Sequence, residues 1–221
     1  MTKKLAVSYF TDPLCVWALV AQAKLERLLS EMGAHVEVDY RIVPVFGSVP
    51  WRFEQGPWAK DGVEGRISAT RRIAEQAGRT DVSGECWRVM PASSWAPSAA
   101  IKAVFALPEG EGSRVGPSYQ LALREAFFVR EKNIARRDVQ LEVAEGLGIA
   151  RAPIEARLDD GSAIAMVWED ANEKDRLKIQ GSPTFVFDGG RTMLYGNFSF
   201  GVLHATCEEL VRGLFPGGSA C

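Results

Sequence analysis

A strand, a helix and a second strand fill the first 45 residues, and that order constrains the fold more than any other feature of the chain. Residues 5–10 are an apolar run that reads as a strand. Thr11, Asp12 and Pro13 break it. A helical pattern then covers about residues 14–32, with Leu25, Leu28, Leu29 and Met32 at three- and four-residue steps and Gly33 as a natural C-cap. In residues 35–43 the apolar Val36, Val38, Tyr40 and Ile42 alternate with charged neighbours, which predicts a half-buried strand closed by Pro44. A βαβ unit of this kind has a right-handed crossover and parallel strands.

The pattern dissolves over residues 44–62, where Val45, Phe46, Trp51, Phe53 and Trp58 are interleaved with Gly47, Pro50, Gly56 and Pro57. An aromatic-rich irregular stretch of this length is either a lid over a site or packing between two parts of the fold. Helical patterns follow at residues 63–76, 97–107, 117–132, 139–147, 153–158 and 162–179. Strand character returns at residues 184–187. The turn Asp188-Gly189-Gly190 leads into a returning strand at 192–195 and a last helix over about 200–215. The chain thus reads βαβ, a helical block, then ββα.

Cys15 falls where the first helix begins. Unpaired backbone N–H groups and the helix dipole favour negative charge there, and this setting lowers a thiol's pKa toward a nucleophilic thiolate. The alternative is a small buried hydrophobe, the ordinary role of a free cysteine. Asp12 either caps the helix or belongs to a site, and its carboxylate, if close, raises the Cys15 pKa against the dipole. Trp17 is either a rim residue that shapes access to the thiol or part of the core. Asn197 and Ser199 precede the last helix, whose free N–H groups can receive a carboxylate, although capping explains both residues equally well.

Net charge is −2, which gives no reason to expect nucleic acid or an anionic membrane as a partner. The N-terminal residues lack a signal-peptide pattern, and no apolar run is long enough to cross a bilayer, so a cytoplasmic location is expected. The four cysteines (Cys15, Cys86, Cys207 and Cys221) are scattered, and His35 and His204 lie near no cysteine cluster. Neither a disulfide framework nor a metal site is expected.

The order βαβ…ββα with a helical block before its second half resembles the DsbA family of thioredoxin-like oxidoreductases. Asp12-Pro13-Leu14-Cys15-Val16-Trp17-Ala18 resembles the family's active-site segment, Asp-Pro-x-Cys-x-Trp-Cys, and Gln180-Gly181-Ser182-Pro183-Thr184-Phe185 resembles its cis-proline loop. Residues 123–135 and 141–147 are similar to the helical segment of the cytoplasmic FrnE-like branch, here as a monothiol variant. The resemblance implies an α/β thioredoxin-like fold from residues 1–45 and 180–221, with residues 46–179 as a loop and helical insertion domain. It also implies that the Ser182–Pro183 loop faces Cys15 and that the Ser182 backbone pairs with a peptide or with glutathione. Asp12, Pro13, Trp17, Ala18, Ser182, Pro183, Asn197 and Ser199 are the expected substrate-binding residues.

One departure alters the chemistry. Ala18 occupies the position of the second cysteine, so Cys15 has no neighbour to resolve an adduct formed on it. An outside thiol resolves it, or a distant cysteine of this chain, or nothing does; glutathione is the expected co-substrate, with no tightly bound cofactor. Cys86 and Cys221 are the alternative resolving thiols, while Cys207 lies on the apolar face of the last helix. The implied activity is thiol–disulfide exchange on a small thiol, a disulfide or a peptide, with a homodimer also compatible. Two other readings remain open. One is a glutathione-dependent transferase or isomerase resembling the kappa-class transferases and hydroxychromene-carboxylate isomerases; the other is a thioredoxin-fold binding module without turnover.

Overall fold

The computed structural model describes residues 4–108 and 111–213. The Cys221 tail and the predicted end of the last helix beyond 213 lie outside the described residues. A four-stranded sheet of order β2-β1-β3-β4 forms the centre: β1 (Leu5–Thr11), β2 (Val36–Ile42), β3 (Thr184–Phe187) and β4 (Thr192–Tyr195). β1 pairs parallel with β2 and antiparallel with β3, and β3 pairs antiparallel with β4. The parallel pair is joined by α1 (Val16–Met32), whose Leu19, Leu25 and Leu28 are buried. The antiparallel pair is joined by the turn at Asp188–Gly190, where Gly189 and Gly190 have φ of 68° and 111°, a region that favours glycine. α9 (Phe200–Arg212) buries Leu203 and Cys207.

The helical block comprises α2 (Val49–Glu54), α3 (Gly62–Gln76), α4 (Trp95–Phe105), α5 (Glu111–Phe128), α6 (Arg137–Gly146), α7 (Arg151–Asp159) and α8 (Ser162–Arg176). Three expectations need correction. α2 and the 3-10 turn Glu85–Val89 arise where no helix is expected, since each is too short to show a helical period. α5 starts six residues before Pro117, so this proline sits inside the helix rather than opening it. Gly33 closes α1 with right-handed backbone (φ −60°), not the left-handed cap.

Apolar burial does not stop at the boundary between sheet and helical block. One core cluster runs from Val7 and Tyr9 of β1 through α1 to Trp87, Tyr119, Phe127 and Val167. A buried carboxylate ties the two together. Asp170 of α8 accepts from the Ile42 backbone N–H at 2.7 Å and pairs with Lys102 Nζ of α4 at 2.8 Å and with Arg41 Nη1 of β2 at 3.3 Å. Removing one partner of such a buried group leaves the others uncompensated, which makes this a rigid seam.

Candidate active site at the start of the first helix

The end of β1 is pinned before the helix begins. Asp12 is fully buried, and its two carboxylate oxygens accept from separate loops: Leu14 N–H at 2.7 Å and Phe46 N–H at 3.1 Å. The same residue's N–H donates to Ser182 Oγ at 2.9 Å. Three segments far apart in the chain therefore meet on one aspartate. Below it lies Arg124 of α5, also fully buried, which donates to Thr11 Oγ1 and to the Asp12 carbonyl at 3.4 Å. With the Gln120 amide oxygen turned toward this guanidinium, it accepts two further hydrogen bonds at 2.9 and 3.1 Å.

Cys15 is the N-cap residue of α1, with extended backbone (φ −90°, ψ 112°), and its carbonyl accepts the first helical bonds from Ala18 and Leu19, both at 3.1 Å. Its thiol donates to the Ser182 carbonyl at 3.1 Å, and the peptide bond from Ser182 to Pro183 is cis. Cys15 is 4% exposed. That burial overturns the expectation of a lowered pKa. Burial pushes the Cys15 thiol up, and the charge of Asp12 adds to the rise; the Ser182 side chain, the Ala18 N–H and the Arg124 charge pull the other way without outweighing it. The helix start is present, but removal from water dominates.

Asp12 is itself displaced upward, to about 6, because burial outweighs the hydrogen bonds from Leu14 and Phe46 and the charge of Arg124. The folded carboxyl therefore holds its proton more tightly than the unfolded one. Folding stability from this group is fully present below about pH 4 and falls as the pH rises through about 6, by roughly 3 kcal/mol in total. Chemical denaturation at pH 4 and pH 7 should show this fall in the parent protein and not in Asp12→Asn. Parallel pH dependence in the two proteins would rule the assignment out.

Above the thiol lies an open cleft of about 270 Å³. Cys15, Val16 and Trp17 at the helix start line it together with Gln180, Gly181, Ser182 and Tyr195. Val45, Phe46, Arg52, Trp58 and, from α3, Arg66 complete the lining. Trp17 is 39% exposed, a rim position. Phe46 and Trp58 of the aromatic stretch line the cleft and also pack on the buried Trp87, at ring centroid distances of 6.2 and 5.1 Å.

Of the residues singled out from sequence, Cys15, Trp17 and Ser182 come together in the cleft lining, with Pro183 joined to Ser182 behind it. Asp12, Pro13 and Ala18 are buried and support the site without lining it. Asn197 and Ser199 are engaged elsewhere: Lys24 donates to Asn197 Oδ1, and Ser199 Oγ accepts from Val202 N–H at 3.4 Å, capping α9. Cys86 and Cys207 are fully buried, and that burial raises each thiol to about 12. Sequence reasoning missed Arg52, Arg66, Gln180, Tyr195 and the supporting Arg124. The two cleft arginines stand in or next to the aromatic stretch, a pairing of cation and ring that was visible in the chain but not weighed.

No helix among the described residues is long and apolar enough to cross a membrane. A family model described as DSBA-like thioredoxin domain matches residues 6–207. A curated relative, the ClpXP adapter protein SpxH of Halalkalibacterium halodurans, is 26% identical over 187 residues, 84% of this chain; the match spans 59% of that protein's length. Among solved structures, the cytosolic disulfide reductase DsbM from Pseudomonas aeruginosa with GSH superposes with a TM-score of 0.64 at 23% identity, covering 95% of this chain and 97% of the other. A 2-hydroxychromene-2-carboxylate isomerase superposes with a TM-score of 0.69 at 19% identity, covering 95% and 97%.

Proposed function

Since the chain belongs to the DsbA-like thioredoxin family, we propose that it is a thiol–disulfide oxidoreductase that works through Cys15 alone and is returned to its starting state by glutathione. One observation carries this reading: a thiol at a helix start touches the Ser182 carbonyl at 3.1 Å and borders a cleft open to small molecules. The Cys15 thiolate attacks one sulfur of a disulfide, forming a mixed disulfide and expelling the other half as a thiolate. Glutathione thiolate then attacks that mixed disulfide; Cys15 leaves as thiolate, and the substrate half departs bound to glutathione. No electron acceptor beyond the two thiol pools is needed.

The raised pKa slows this chemistry less than the loss of thiolate suggests. Each unit of increase removes about tenfold of the thiolate but returns roughly threefold in nucleophilicity, so the net loss is about threefold. Several features support glutathione: the chain has no second thiol at Ala18, the distant described thiols are buried, and a structural neighbour carries GSH in its own structure. A cytoplasmic setting fits the same chemistry, because free glutathione keeps thiols reduced there.

The test is intact-mass analysis after exposure to glutathione disulfide. In a Cys221→Ser background the protein gains one glutathione, added dithiothreitol removes it, and the further change Cys15→Ser abolishes the gain. A Cys15→Ser protein that kept glutathione-dependent turnover would favour instead the transferase or isomerase chemistry suggested by the isomerase neighbour. The SpxH relative supports a second reading, a protein-gripping adapter without turnover. Partner capture that survives Cys15→Ala, in a protein that forms no mixed disulfide, would establish that reading in its place.

A further inference from the structure

Arg66 is a cleft residue with donor capacity to spare. Its guanidinium lies against three aromatic rings, 4.4 Å from the Trp58 centroid, 4.8 Å from Trp87 and 5.9 Å from Phe46. Its Nε is buried with no hydrogen-bond partner, and the described residues offer it no carboxylate. Arg52 stands beside it, over the same Trp58 ring at 5.2 Å. Arg52 spends Nε and Nη2 on the carbonyls of Phe46 and Val45, at 2.6 and 2.5 Å, and likewise pairs with no carboxylate. Two cations thus share the lining of one cleft, and among the described residues neither forms an ion pair; Asp12 acts on Arg52 through its charge alone. Burying a guanidinium with its donors unmet costs free energy that stacking on aromatic faces offsets only in part. Burial, with a smaller contribution from the Arg52 charge, pushes the Arg66 pKa down to about 10, which leaves it charged near neutral pH.

We propose that Arg66, backed by Arg52, is an anion subsite that receives a carboxylate of the thiol or disulfide with which Cys15 reacts. A planar guanidinium presents a fork of donors that matches a carboxylate, and its stacking on Trp58 and Trp87 fixes the plane of that fork. The cleft is therefore selective: acidic small thiols and disulfides are preferred over neutral or cationic ones of the same length. This assignment rests on the thiol reading for the identity of the ligand. The binding event itself involves no sulfur chemistry, so the two can fail separately.

The probe is 3,3′-thiodipropionate, a thioether dicarboxylate that cannot exchange, compared with the neutral thiodiethanol. Binding is measured by calorimetry on Cys15→Ser protein. The dicarboxylate should bind at least about tenfold more tightly than the diol, the size of one charge-assisted hydrogen bond. Adding Arg66→Met, which keeps an apolar stem against Trp58, should erase that preference, and Arg66→Lys, which keeps the charge but not the fork, should retain part of it. Equal binding of the two probes overturns the subsite, as does a preference that survives Arg66→Met. If Arg66→Met does not fold, an undiminished preference in Arg66→Lys overturns the fork, and a reduced one supports it. Preferred binding of the dicarboxylate by a protein whose parent forms no mixed disulfide would sink the thiol reading and leave the subsite intact.

Discussion

Ala18→Cys is expected to convert the site into one that resolves its own adducts. Residues three apart on a helix have Cα atoms about 5 Å apart, inside the roughly 4.4–6.8 Å that disulfides span. Here the spacing is held by the Ala18 N–H bond to the Cys15 carbonyl at 3.1 Å. In the parent protein a glutathione adduct on Cys15 waits for an outside thiol. In the variant the introduced thiol, as thiolate, attacks Cys15 Sγ and expels glutathione thiolate, leaving an intramolecular disulfide. Making the attack intramolecular should shorten the life of the adduct by at least about 100-fold. After treatment with glutathione disulfide, intact mass should show the loss of two hydrogens instead of a retained glutathione. A persistent glutathione adduct would mean that the two positions do not face each other. Ala18 is fully buried, so the larger side chain also costs about 1–3 kcal/mol in overpacking, to be read from the melting temperature.

Trp87→Ala is expected to be the most damaging single change in the helical block. Trp87 is fully buried, donates from Nε1 to Thr70 Oγ1 at 2.8 Å, and packs edge-on against Trp58 and Phe127, each at 5.1 Å. Truncating a large buried aromatic costs about 3–5 kcal/mol, which for a chain of this length lowers the melting temperature by roughly 6–20 °C. The loss extends into the cleft, since Arg66 loses one of its three ring contacts and Trp58 its support. Trp87→Phe, which keeps a ring but not the N–H donor, should recover more than half of the stability. A fall of under about 1 kcal/mol for Trp87→Ala would show that the aromatic cluster tolerates a cavity, contrary to its close packing.

Much of the sheet and of the thiol's position was legible because both are encoded locally. The alternation of Val36, Val38, Tyr40 and Ile42, and the break at Thr11-Asp12-Pro13 before Cys15, leave little choice of fold or location. The double role of Asp12 could not be read, because its second acceptor contact reaches Phe46, 34 residues away. Nor could the direction of the Cys15 shift. A helix start is visible in a sequence, whereas burial depends on how the Ser182 loop, 167 residues further on, closes over the sulfur. Arg66 and Arg124 escaped for a related reason. A basic residue on an amphipathic helix normally faces water, and only the assembled fold turns these two inward.

The burial of Cys15 has a consequence for the direction of electron flow. A disulfide exchanger whose thiolate is stabilised gives its disulfide away readily and acts as an oxidant; here the thiolate is disfavoured, so the balance tilts the other way. On the proposed exchange chemistry, Cys15 is a poorer leaving group than an ordinary thiol. Electrons should therefore pass from the protein to its disulfide substrate more readily than the reverse, with the S-thiolated protein as the form that accumulates whenever the supply of reduced glutathione falls.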